Sequence, residues 1–327
     1  MTKHCTLLLL LCGFLGRMWA QQGPQYSLYM LSPHALNPAY AGLEGTLVAT
    51  GFYRQQWSGL RGAPLSQQVD AHLPIFAISS GAGIRLQNEA VGAHTTTSAV
   101  VNYNYQTEIS RGIVLSFGVG VGYMQYGLDG TKLRAPEGTY AEPTGGFTHN
   151  DDLLPESKIQ AGTPILETGI FLKTAKFTFG IGMQPIFAPV LKATNNGNFS
   201  LQPKRHYNLL AAYDISATDN LLLQPSVLVK SDITETQTDI SLKAVWRENT
   251  FAGVSYRGLG ATSRDAVVLF AGFRLNEKSN LAYAYDIPLS PLNAANRGSH
   301  ELCLRYSLNR PIGAGKLPPI IYNPRFQ

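Results

Sequence analysis

The stretch IVLSFGVGVGY (Ile113 to Tyr123) puts Ile113, Leu115, Phe117, Val119, Val121 and Tyr123 on one face of an extended chain. Ser116, Gly118, Gly120 and Gly122 fall on the other. Period two is the spacing of a strand, and apolar residues alternating with small or polar ones suit a strand with one face in lipid and one in a lumen. GVGVG (Gly118 to Gly122) is not a nucleotide loop: it lacks the G-x-G-x-x-G spacing and a helix to follow it.

Working outward, the same alternation recurs. Leu281, Tyr283, Tyr285 and Ile287 oppose Ala282, Ala284 and Asp286, and Leu302, Leu304, Tyr306 and Leu308 oppose Glu301, Cys303, Arg305 and Ser307. Val69, Ala71 and Leu73 oppose Gln68, Asp70 and His72; Val101, Tyr103 and Tyr105 oppose Asn102, Asn104 and Gln106. Phe177 to Gln184, Tyr207 to Tyr213 and Asp239 to Trp246 follow the pattern. Weaker candidates lie at Thr46 to Gln56, Gly81 to Gln87, Leu166 to Leu172, Leu221 to Lys230, Ala252 to Tyr256 and Val267 to Leu275. The total is about fourteen strands, an even number as a bacterial single-chain barrel requires. The expected fold is all-β, a transmembrane antiparallel β-barrel.

Composition agrees. Only 14% of residues are charged, while the chain carries 16 Tyr and 32 Gly. No run approaches the ~18 to 20 apolar residues of a membrane helix. Tight connections such as Ser110 to Gly112 and Glu248 to Thr250 contrast with long polar ones at Asp129 to Ser157, Ala188 to Pro203 and Ser290 to Gly298. Short periplasmic turns and long outer loops are the barrel arrangement. A soluble β-sandwich is the competing fold, but it would need more polar exposed faces than these Gly- and Ala-rich ones.

The N-terminus reads as a secretory signal over residues 1–20: Lys3 and His4, an apolar core from Thr6 to Leu15, then Met18 to Ala20. Residues 21–45 are expected to form a periplasmic or plug segment, 46–308 the barrel, and 309–327 a periplasmic tail. Without the signal, Cys303 is the one remaining cysteine, so no internal disulfide can form. Removing Lys3 and Arg17 leaves 24 basic against 21 acidic residues, a net +3 without a Lys/Arg cluster, which gives no footprint for nucleic acid.

No catalytic, metal or cofactor constellation emerges. The histidines lack metal-ligand spacing, and no G-x-S-x-G elbow is present. His72 and Asp70 share a strand face and read as a lumen pair. Asp151, Asp152 and Glu156 read as a solvated loop without the spacing of a calcium site.

The segment from Gln25 to Leu73 carries NPAYAG (Asn37 to Gly42), YRQQW (Tyr53 to Trp57) and GAP (Gly62 to Pro64). Pro33 and Pro38 fix their own φ and push Ser32 and Asn37 towards extended geometry, which makes a rigid leader into a hairpin. Asn37, Pro38, Tyr40 and Gly42 are expected to plug or rim the periplasmic mouth, with Arg54, Gln56 and Trp57 holding them. Gly62 and Pro64 complete the candidate set for sealing or partner binding.

The run PQYSLYMLSPHALNPAYAG (Pro24 to Gly42), followed by YRQQWSGLRGAP (Tyr53 to Pro64), resembles the PorP/SprF family of Bacteroidetes outer-membrane proteins. YDIPL (Tyr285 to Leu289), GSHELCLRYSL (Gly298 to Leu308) and the closing PRF (Pro324 to Phe326) resemble that family's C-terminal end. Where the family often carries Cys before the final Pro, this chain has Asn323. The resemblance implies a non-enzymatic barrel of the type IX secretion and gliding machinery that docks or anchors secreted adhesins. The implied partners are cargo with a C-terminal sorting domain, periplasmic type IX or peptidoglycan-binding proteins, and outer-membrane lipid. The alternative reading is an outer-membrane channel for small solutes; a soluble secreted adhesin is a third.

Overall fold

A computed structural model describes residues 23–310, except 141–146, 152–153, 188, 190, 194–198, 202, 259–264 and 291–295. The expected signal, and residues 311–327 of the expected tail, lie outside the described residues.

Fourteen strands close into one antiparallel barrel in which every strand pairs with its neighbours in sequence. They are β1 (Val48–Gln55), β2 (Leu65–Ile75), β3 (Ser80–Val91), β4 (His94–Ser110) and β5 (Ile113–Asp129). Next come β6 (Lys158–Lys173), β7 (Phe177–Phe187), β8 (His206–Tyr213), β9 (Leu221–Ser231) and β10 (Thr236–Trp246). The last are β11 (Thr250–Arg257), β12 (Ala266–Asn276), β13 (Ser279–Pro288) and β14 (Ser299–Ser307). β1 pairs β14 from Val48 opposite Ser307 to Gln55 opposite His300, which closes the ring. Closure removes the open edge that lipid would not tolerate.

All fourteen coincide with segments expected from alternation, and in the clearly alternating strands the faces agree. Val119 and Val121 are 50% and 62% exposed, whereas Ser116 between the same neighbours is fully buried. Exposed Tyr105, Phe177, Tyr213, Trp246 and Tyr306 mark one rim of the apolar belt; Tyr53, Tyr123 and Phe187 mark the other. These are the amphipathic rings of the two lipid–water interfaces.

Several strands run further than their apolar alternation. β4 begins at His94 and β6 at Lys158, well before the expected Val101 and Leu166. Above the lipid no apolar face is required, and pairing continues through β-branched Thr95 to Thr97. Cross-strand bonds such as Gln125 Nε2 to Gln160 Oε1 at 2.7 Å support it. The wall is therefore taller at β4–β6 than elsewhere. Pro225 is tolerated in β9 because the ladder with β8 stops at Ala212 opposite Ser226 and resumes only at Ile215 opposite Leu223, so that Pro225 falls in the gap.

Six short turns lie at one end, together with the start of β1 and the finish of β14; two more, at residues 92–93 and 232–235, lie at the other. The long connections, two of which carry small hairpins (Thr139–Tyr140 with Phe147–Thr148, and Leu191–Ala193 with Phe199–Leu201), lie at the other. The first end faces the periplasm and the second the outside.

Candidate functional site: the filled lumen

A 23-residue stretch ahead of β1 lies inside the barrel. Tyr26, Leu28, Tyr29, His34, Asn37, Ala39, Tyr40 and Leu43 are all buried there. The segment folds as three short 3-10 turns, Tyr29–Leu31, Pro33–Ala35 and Pro38–Tyr40. Pro opens the second and third, where its missing N–H costs nothing. Asn37 caps the third, its Oδ1 accepting from Ala39 N at 2.9 Å.

Such a segment has few backbone partners of its own, and buried backbone groups must be paired. Side chains of the wall supply them. Asn104 Nδ2 donates to Ala39 O at 2.8 Å and to Ala41 O at 2.6 Å. Ser116 Oγ donates to Ala39 O at 2.7 Å, and Gln106 Nε2 to Ala41 O at 3.0 Å. Lys173 Nζ donates to Leu43 O at 2.8 Å and Arg85 Nη1 to Ala35 O at 3.0 Å. Gly42 N donates to His72 Nδ1 at 3.1 Å, and Arg305 bridges Leu31 O and the Glu44 carboxylate. In return Asn37 Nδ2 donates to Ile170 O and Ile181 O, both at 3.0 Å, on the facing strands β6 and β7.

Glycine makes the lower seat possible. A Cβ on Gly118 would fall on the Pro38–Ala39 backbone, and one on Gly169 would fall on the Asn37 side-chain amide. These residues face inward because the wall must be thin where the segment touches it. Above the seat, Asp70 accepts from Ser32 Oγ at 2.8 Å and from His34 Nδ1 at 3.2 Å. Asn102 Nδ2 lies 2.9 Å from His34 Nε2 and donates to it, which leaves the ring proton on Nδ1 for Asp70. The Asp70 and His72 side chains thus both serve the inner segment.

At the outer half the fastening is ionic. Ser27 N and Leu28 N donate to Glu301 Oε2 and Oε1 at 2.7 and 2.9 Å. Arg54 Nη1 reaches Ser27 Oγ at 2.8 Å and Glu301 at 3.0 Å, and its Nη2 reaches Asp286 at 2.6 Å. Arg257 joins Asp286 at 2.7 Å, Asp239 at 3.0 Å and Ser27 Oγ at 3.0 Å. Two guanidiniums and two carboxylates, Glu301 and Asp286, therefore meet at Ser27, with Asp239 behind Arg257. Tyr29 OH lies between Ser226 and Ser241 Oγ at 3.0 and 2.9 Å.

Two apolar clusters complete the filling. Tyr26 packs on Phe52, ring centroids 5.1 Å apart, with Val268, Phe270 and Cys303 around them. Tyr40 packs on Phe171 at 4.9 Å, with Val114, Leu210 and Leu228. Each buried aromatic contributes about 1.5–3 kcal/mol relative to exposure.

Asn37, Pro38, Tyr40 and Gly42 are thus brought together in the periplasmic half of the lumen. Arg54 does not hold them; it holds Ser27, because β1 climbs from Val48 at the periplasmic end. Six residues of strand separate the levels by roughly 20 Å. Gln56, Trp57, Gly62 and Pro64 do not touch NPAYAG either. They shape the β1–β2 loop at the outer rim, with Gln56 N on Pro64 O at 2.9 Å and Trp57 N on Ser299 Oγ at 3.1 Å. Gly62 O accepts from Gly92 N of the next loop at 2.9 Å, at a turn that takes φ to +75°. Sequence reasoning missed Ser27, Glu301, Arg257, Asn104 and Ser116 as partners of the segment. The inward glycines, placed where lumen walls carry polar side chains, were the available signal.

The fold and the filled lumen define an outer-membrane β-barrel protein whose own N-terminal segment occupies the channel. The family model for the type IX secretion system membrane protein PorP/SprF matches residues 18–306, and the chain belongs to that family. No curated protein matches it. Among solved structures it is similar to the toluene transporter TbuX of Ralstonia pickettii, at 12% identity over 85% of this chain and 92% of that one, with a TM-score of 0.48. It is similar also to the Pseudomonas putida toluene transporter TodX, at 10% identity over 88% and 94%, with a TM-score of 0.46. The Acinetobacter baumannii outer membrane protein Omp33 gives 7% identity over 80% and 98%, with a TM-score of 0.44.

Proposed function

We propose that the protein is a non-enzymatic docking or anchoring component of the type IX machinery, holding secreted surface proteins at the outer membrane. In this reading residues 21–45 act as a permanent seal. The observation that carries it is the filled lumen: a barrel of this size conducts when empty, but here the inner segment is fastened along its whole length. A closed barrel with a tall wall and small hairpins in two of its outer connections suits a platform better than a solute path. Cargo with a C-terminal sorting domain is the proposed outer partner. Periplasmic type IX or peptidoglycan-binding proteins are the proposed inner ones.

Deleting the gene is expected to abolish surface display of adhesin cargo and gliding, and a mild-detergent pull-down is expected to recover a sorting-domain protein or a periplasmic partner. Unchanged display and motility would sink the reading. In planar bilayers the purified protein is expected to pass little current; large steady currents would support a solute channel instead.

A further inference from the structure

The inner segment has a direction, and it runs against expectation for a leader that starts in the periplasm. Its later residues meet the periplasmic ends of the strands. Leu43 O lies on Lys173, the last residue of β6; Gly42 contacts the Leu73–Pro74 backbone near the end of β2; and Thr46 Oγ1 donates to Arg310 O at 2.9 Å. Its earlier residues meet the opposite ends. Ser27 is held by Arg54, next to last in β1, by Arg257, last in β11, and by Glu301, third in β14. Gln25 Oε1 accepts from Gln237, second in β10, at 3.4 Å, and Pro24 O from Lys230, next to last in β9, at 3.3 Å. Gly23 lies beside His206, the first residue of β8. Each of these wall residues borders a connection on the outer side. The twenty or so residues between Gly23 and Leu43 therefore climb the full height of the lumen.

We infer that the inner segment opens at the extracellular mouth, so that its described start, Gly23, is reachable from the cell surface while β1 starts in the periplasm. A return path down the lumen is closed by the segment itself, packed against both apolar clusters. The ionic knot at Ser27 is the latch that fixes this start of the segment at the outer end. The inference rests on the orientation of the barrel and not on the docking reading.

The test is cysteine labelling of intact cells with a membrane-impermeant maleimide. The background is low because Cys303 is buried in the lumen. Gly23→Cys is compared with Lys132→Cys in a long outer connection and with Lys278→Cys in a short turn. Gly23→Cys is expected to label to the same extent as Lys132→Cys, and Lys278→Cys only after permeabilisation. An epitope inserted ahead of Gly23 guards against a poorly reactive thiol, and is expected to bind antibody on intact cells. Failure of both Gly23 reporters on intact cells, with Lys132→Cys labelled, overturns the inference. Lys132→Cys shielded and Lys278→Cys labelled would mean a reversed barrel, and would overturn it too. Neither result depends on cargo display.

Discussion

The two ends of the inner segment are fastened by different physics. At the outer end, Ser27 and Leu28 sit in a knot of Arg54, Arg257, Asp239, Asp286 and Glu301, where strong charges are taken out of water and must all be paired. At the periplasmic end, NPAYAG lies mainly on neutral amides and hydroxyls, in a notch cut by glycine, and the charged contacts, Lys173 on Leu43 O and Arg305 on Glu44, fall just beyond it. The knot is directional and intolerant of losing any one member. The seat is a matter of shape and many modest hydrogen bonds, so its losses are graded. A segment held in this way is located at the top by charge and filled in at the bottom by fit.

Breaking the knot is the most severe way to disturb this contrast. Glu301→Ala removes the acceptor for Ser27 N, Leu28 N and Arg54 together. Removing one partner of a buried pair costs about 3–5 kcal/mol, so thermal unfolding in detergent is expected to shift strongly downward, with channel openings in planar bilayers. Glu301→Gln keeps the shape and is expected to fall between. If Glu301→Ala melts like the parent, the knot does not fasten the segment.

Overfilling the seat tests the other end. Gly118→Leu forces a side chain into the Pro38–Ala39 backbone, at a cost of about 1–3 kcal/mol. Cysteine labelling is expected to show the lower half of the segment loosened while a reporter at Gly23 stays in place. Loss of the upper position as well would mean that the two fastenings are not separate.

A gentler cut is Asn104→Ala. Ser116 still serves Ala39 O and Gln106 still serves Ala41 O, so about 1 kcal/mol is expected from the hydrogen bonds lost. The combination Asn104→Ala with Ser116→Ala is expected to cost more than the two single changes added, because Ala39 O is then left with neither bond. Strict additivity in thermal unfolding would contradict this sharing.

The smallest effect is expected outside the lumen. Asp232, in the outer β9–β10 turn, accepts from Thr234 N and Glu235 N at 3.0 and 2.7 Å and pairs with Lys204 at 2.7 Å. Burial works against its charge, but the Lys204 ammonium and these amides outweigh it and hold the carboxyl below its ordinary range. A depressed folded value means that its stabilisation is complete above the ordinary carboxylate range and disappears as pH falls through the lowered one. Hydrogen exchange is expected to loosen this turn on acidification, and Asp232→Asn to remove that dependence without moving the inner segment. An Asp232→Asn chain with the parent's pH profile would contradict the assignment.

Much of the barrel was legible because its cause is local. Lipid on one side and lumen on the other impose period two on each strand separately, so Ile113 to Tyr123 or Leu302 to Leu308 can be read without knowing any neighbour. The extra length of β4 and β6 was not legible, since above the lipid that demand stops while backbone pairing continues. The role of Asp70 and His72 was half legible: alternation turned them inward but could not name Ser32, His34 and Gly42 as what they meet.

The sequence by itself determined the fold class, a count of about fourteen strands, the faces of the clearly alternating ones, and a proline-stiffened leader ahead of them. Only the tertiary structure decided where that leader goes, which way it runs, and that Arg54 grips Ser27 while Asn104 and Gly118 shape the seat of NPAYAG. The physical reason is distance along the chain. Arg54 and Glu301 are 247 positions apart, and Ser27 and Asp286 are 259. A charge or a glycine facing a lumen has the same local pattern whether it faces water or another part of its own chain.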